Sequence, residues 1–243
     1  MKRPSAPYRQ LDEAQIRATI ERLQARIRER FPDSGLSQLA AELQAIAGEI
    51  AESVAYLQRP HWPIRIAVGT LIVGLIAVIV GAAVTFRVPA QVEGWAQLVQ
   101  VIESAVNDVV FIGVAIYFLL TVEGRLKRKR ALESLHELRS VVHIVDMHQL
   151  TKDPERLVSQ QENTASSPER TMTAGELGRY LDYCSELLSL ASKLAALFMQ
   201  QLNDPVVLAA VNEIEALTSG LSSKIWQKIT MLGRIQSVTE SRL

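Results

Sequence analysis

From Ile66 to Phe86 the chain reads IAVGTLIVGLIAVIVGAAVTF, without a single charge. At about 1.5 Å per residue, a helix of that length crosses the roughly 30 Å hydrocarbon layer of a bilayer. Lipid offers no hydrogen bonds to a bare backbone, so such a run must be helical, and the rest of the chain has to be arranged around it.

A second apolar stretch follows a short interruption, RVPAQVEG, in which Pro89 and Gly94 supply a chain reversal. The return helix is expected from Trp95 to near Val122. Its later half, VVFIGVAIYFLLTV, is strongly apolar, and its earlier half carries Gln97, Gln100, Glu103, Ser104, Asn107 and Asp108. At 100° per residue those six positions share one face.

Cations resist translocation and therefore set topology. Arg59 and Arg65 precede the first span, and Arg125, Lys127, Arg128, Lys129 and Arg130 follow the second, whereas the connecting loop has Arg87 as its only basic residue. Both termini are thus expected in the cytoplasm, with Trp62 and Trp95 at opposite bilayer faces as interfacial aromatics. No short apolar region follows Met1, so the first span is expected to serve as its own insertion signal.

The flanks read as amphipathic helices. Ile16, Ile20, Leu23, Ile27 and Phe31 recur at spacings of four and three, and Pro32-Asp33-Ser34-Gly35 breaks the pattern. A second stripe follows at Leu39, Leu43, Ile46, Ile50, Val54 and Leu57. These two stripes must bury against each other, the C-terminal region or another copy of the chain, and packing within the chain is favoured.

After the second span, Ala131, Leu135, Leu138, Val142 and Val145 continue the helical period to about Leu150, with Gly124 as a candidate hinge. A polar linker with Pro154 and Pro168 comes next. Thr173-Ala174-Gly175-Glu176 then has the form of a capping box, opening a helix with Leu177, Leu181, Cys184, Leu188, Ala191, Ala195 and Phe198 on its buried stripe. Asp204 and Pro205 read as the N-cap and first residue of a last helix, whose apolar positions include Leu208, Val211, Leu217, Ile225, Ile229 and Leu232.

The expected organisation is all-α. It comprises an N-terminal helical hairpin (1–60), a transmembrane hairpin (61–123, spans about 64–86 and 96–122), a continuing helix (124–151), a linker (152–172), a C-terminal helical hairpin (173–233) and a tail (234–243). Strand signals are nearly absent, since the β-branched runs fall in the membrane spans, and no phosphate-binding glycine loop follows a strand.

A formal net charge of zero gives no global signature for nucleic acid, and the basic run at a membrane exit is expected to stop translocation and contact lipid headgroups. The one cysteine, Cys184, excludes an intramolecular disulfide framework and reads as a small buried hydrophobe. No serine–histidine–carboxylate order or activated thiol can be assembled, so neither an enzyme nor a cofactor is expected.

Three segments, HELRSVVHIVDMHQLTKDP (136–154), YLDYCSELL (180–188) and SSKIWQKI (222–229), resemble bacterial two-span membrane proteins of unassigned function. The resemblance implies a bacterial inner-membrane setting and nothing catalytic.

Two further patterns bear on function. Thr70, Gly74, Ala77, Gly81 and Thr85 form a small-residue stripe suited to close helix packing, against the hairpin's own second helix or a neighbouring copy. His136, His143, Asp146 and His148 gather in one helical stretch, where only His143 and Asp146, at i and i+3, could share an ion. Structural roles for these histidines are favoured over a metal site. The sequence therefore leads to a membrane-anchored scaffold or signalling module, self-associating or bound to another protein. Its alternatives are a small homo-oligomeric cation channel using the polar face of the second span, and a metal-dependent membrane regulator.

Overall fold

The structure is a computed structural model and describes residues 10–59, 62–85, 95–154 and 172–240. The reversal at 87–94, most of the polar linker and residues 241–243 lie outside these. Among the described residues there are six helices and no strand: α1 (Glu13–Arg30), α2 (Gly35–Gln58), α3 (Trp62–Thr85), α4 (Trp95–Leu150), α5 (Ala174–Gln201) and α6 (Pro205–Glu240). The chain divides into two compact units, one of Met1–Gln58 with Arg128–Leu243, the other of Arg59–Lys127.

Helix starts in the first unit follow local chemistry. The Asp12 carboxylate accepts the amides of Ala14 at 2.9 Å and Gln15 at 3.4 Å, capping α1. At α5 the Glu176 amide donates to the Thr173 hydroxyl, and the Glu176 carboxylate accepts the Thr173 amide at 2.8 Å, which closes the capping box. Asp204 caps α6 through the amides of Val206 and Val207. Each cap satisfies donors that a helix start would otherwise leave without partners.

Cross-helix bonds fix the directions in this unit. Arg26 on α1 meets Glu186 on α5 at 2.6 Å, and Phe31 lies edge-on to Tyr180 and Tyr183, so α1 and α5 are antiparallel. Ser134 donates to Ser53 at 3.1 Å, while the His148 ring lies against Gly35, so α4 opposes α2. Arg128 with Asp204 (2.6 Å), Arg139 with Glu213 (2.7 Å) and Lys228 with Gln149 (2.7 Å) advance together along both chains, making α4 and α6 parallel. In this unit α1 and α2 share one buried core with α5, α6 and the later part of α4.

The core contains every apolar position named above for α1 from Ile16 to Ile27, for α2, for the later part of α4 and for α5. In α6 the stripe differs. Leu208 is exposed, and Val207, Val211, Ile214, Thr218, Leu221 and Ile225 face inward. Thr218 tolerates burial because its hydroxyl donates to the carbonyls of Ile214 and Glu215. α6 also continues through the region read as a tail, to Glu240, since nothing after Gly233 stops a helix. Gly124 does not interrupt α4.

Candidate functional site

In the unit of Arg59–Lys127 the usual distribution of apolar residues is inverted. Val84 and Phe111 are each 74% exposed, and Val73, Val78, Val109 and Val114 are exposed as well. By length and composition one helix among the described residues can cross a membrane, within Val106–Leu150 of α4, and the apolar part of α3, Arg65–Gly81, is shorter. The helix α3 as a whole runs 24 residues, about 36 Å.

Among the described residues α3 and α4 meet at a charged cluster and along an apolar groove. The Arg65 guanidinium donates through Nε and Nη2 to the two oxygens of Glu123, at 2.8 and 3.3 Å, and Lys127 approaches the same carboxylate at 3.0 Å. The hydrogen bond from Arg65, reinforced by Lys127, holds the Glu123 carboxyl down to about 2 against the opposing effect of desolvation. Beside this cluster lies a groove of about 350 Å³ lined by Arg65, Val68, Gly69, Ile72, Leu119, Leu120 and Glu123.

The small-residue stripe takes no part in this groove. Thr70, Gly74, Ala77 and Gly81 are exposed, and a Cβ built at Gly74 would meet no atom within 4 Å. Gln100, Glu103, Ser104, Asn107 and Asp108 are exposed on α4. The side chains of Gln97 and Thr85 lie outside the described residues.

The basic run is already partly engaged within the chain. Arg125 stacks over the Phe118 ring at 4.6 Å, Lys127 pairs with Glu123, Arg128 with Asp204, and Lys129 with Glu133 at 3.9 Å. Arg130 is exposed and has no ion pair among the described residues. Arg128 therefore anchors the start of α6, a role its place in a run of cations does not reveal. Desolvation raises the Asp204 carboxyl, but bonds from Arg128, Val207 and Val206 outweigh this and its net shift is downward.

Among the described residues no three of His, Cys, Asp and Glu are grouped to hold a metal. His136 and His143 point to solvent, and the Asp146 carboxylate accepts the Gln149 side-chain amide at 2.6 Å. His148 is half-buried and packs over the first residue of α2.

Sequence reading missed a half-buried polar contact at the end of α4. Lys228 donates to both the main-chain and side-chain oxygens of Gln149, each at 2.7 Å, supplying a cation where α4 leaves its last carbonyls open. Burial lowers the Lys228 ammonium below its ordinary value, with Asp153 and Asp146 opposing. Lys152 sits over the Tyr180 ring at 5.3 Å, and Cys184 is fully buried, with burial pushing its thiol up to about 12. At neutral pH that thiol carries almost no thiolate and is a poor nucleophile.

No protein-family model, curated protein or solved structure matches the chain.

Proposed function

We propose that this is an integral membrane protein, bacterial and of the inner membrane as the resemblance implies, anchored by α3 and the apolar first part of α4 as a two-span hairpin. Its helical bundle acts as a scaffold or signalling module on the cytoplasmic side, with both termini there. The observation that carries this reading is the inverted burial of residues 62–122. Most apolar side chains of the bundle form a buried core, whereas those along α3 and the first part of α4 are displayed, an arrangement that water disfavours and hydrocarbon accepts.

The anchor holds the bundle at the bilayer surface, where raised local concentration strengthens weak contacts with another copy or another protein. Arg125 and Arg130 remain the cations of the basic run best placed to meet lipid headgroups. Nothing in this reading calls for nucleic acid, a cofactor or catalysis.

The Arg65–Glu123 pair supports a register in which Glu123 and Arg65 lie at one membrane boundary. Counting back along antiparallel helices brings Glu103 level with Thr85, where α3 ends, so Glu103 belongs at the far interface. This favours an interfacial role for the polar face of α4 over a pore. The channel alternative would require Asp108 and Asn107 of several copies to ring a water-filled path.

Cell fractionation combined with reporter tags at both ends tests the reading. The expected result is full-length protein that needs detergent for extraction, with both tags reporting the same side. Recovery in the aqueous fraction, or tags on opposite sides, would defeat it. Crosslinking in intact cells is expected to capture a second copy or a second protein, and recovery of the monomer alone counts against the scaffold role.

A further inference from the structure

We propose that the groove between α3 and α4 seats one anionic phospholipid, with its phosphate on Arg65 and Lys127 and an acyl chain along Val68, Gly69, Ile72, Leu119 and Leu120. This rests on the membrane reading above. The groove, about 350 Å³, is apolar along its length and charged at one end only. That polarity matches a lipid, which carries its charge at one end.

The charges favour an anion. Arg65 and Lys127 face the single carboxylate of Glu123, leaving one positive charge in excess, and Arg125 adds another over Phe118. Glu123 engages Nε and Nη2 of Arg65, so the guanidinium is held in place while its Nη1 edge stays available. The Arg65 side chain is 54% exposed, open to a headgroup.

The walls argue against a peptide. An extended chain would bring backbone amides and carbonyls along its whole length, and beyond the charged end the groove offers only aliphatic side chains. An acyl chain makes no such demand. The wall is open at Gly69, where a Cβ would meet nothing within 4 Å.

The experiment uses the full chain reconstituted in nanodiscs of equal phosphatidylglycerol and phosphatidylcholine, released into mild detergent and weighed by native mass spectrometry. One phosphatidylglycerol per chain is expected to be retained in preference to phosphatidylcholine. Arg65→Gln is expected to lower retention about tenfold, the loss of one charge-assisted hydrogen bond. Gly69→Phe, which fills the groove and leaves every charge in place, is expected to do the same, and Arg130→Gln, outside the groove, to lower retention by less than about twofold.

Equal retention of the two lipids would overturn the proposal. So would a fall with Arg130→Gln matching that with Arg65→Gln, which would signify bulk attraction to a charged surface. Displacement by soluble glycerol phosphate would assign the site to a free phosphate, and a lipid-free dimer blocked by Gly69→Phe would assign the groove to a second copy. Protein that stays dissolved without detergent would instead defeat the membrane reading itself, a failure distinct from these.

Discussion

The bundle and the apolar unit are built from the same kind of helix but dispose of their hydrophobic residues in opposite ways. In the bundle Leu23, Leu43, Ile50 and Leu188 are fully buried, while in the apolar unit Val84 and Phe111 keep about three quarters of their surface open. α1, α2 and α5 each have a polar face and an apolar stripe, so water drives them together. α3 is apolar all round, so no face is preferred, and among the described residues it meets α4 at a groove and an ion-pair cluster. Association of such helices rests on packing and on a few polar contacts.

The comparison can be broken most sharply in the bundle core. Leu188→Ala is expected to cost about 2–5 kcal/mol in chemical denaturation of the detergent-solubilised protein, the range for a large-to-small change in a packed core. Val114→Ala, on the exposed surface of α4, is expected to cost under about 0.5 kcal/mol in the same assay. Equal losses would mean that Val114 is packed against something absent from the isolated chain.

Val114→Arg separates the two regions by solvent. Arginine near the middle of a span opposes insertion by about 3 kcal/mol, so the membrane-bound fraction should fall in a translocation assay. An arginine accepted without loss would place that part of α4 in water.

Within the bundle, a methyl on Gly35 would overlap the His148 ring, so Gly35→Ala is expected to destabilise by about 1 kcal/mol as the ring is displaced. Adding His148→Ala should recover most of that loss relative to His148→Ala alone. Independent, additive effects in that double-mutant cycle would show that the two residues do not meet.

The smallest effect belongs to the Arg65–Glu123 cluster. A carboxyl depressed in the folded state contributes fully above its unfolded value of 4.5 and loses that contribution as pH falls towards about 2. Thermal melting across that window should therefore fall, and Glu123→Gln should flatten the change. An unchanged acid profile in the variant would remove Glu123 as its source.

Much of the bundle was legible because amphipathic period directly encodes which side of a helix is hidden. The stripes of α1, α2 and α5 and the caps at Thr173 and Asp204 are where the spacing puts them. α6 was harder to read. A threonine occupies one of its inward positions, Leu208 points outward, and hydropathy alone cannot see that Thr218 satisfies its hydroxyl on its own helix.

The candidate site was legible only as composition. The cations at 125–130 were plain, but their division into ion pairs, a ring contact and the exposed Arg130 was not. Arg65 and Glu123 are 58 residues apart, and no local pattern announces that they meet. The same holds for Lys228 and Gln149, separated by 79 residues.

By itself, then, the sequence determined that this chain is helical, where its charges and apolar runs lie, and which face of most bundle helices is hidden, because those are properties of neighbours along a helix. Only the tertiary structure decided that the N-terminal hairpin completes the C-terminal bundle, that α4 runs parallel to α6, and that a groove with a charged end opens between α3 and α4. Contacts between distant segments depend on how whole surfaces fit, and no short stretch of residues carries that information.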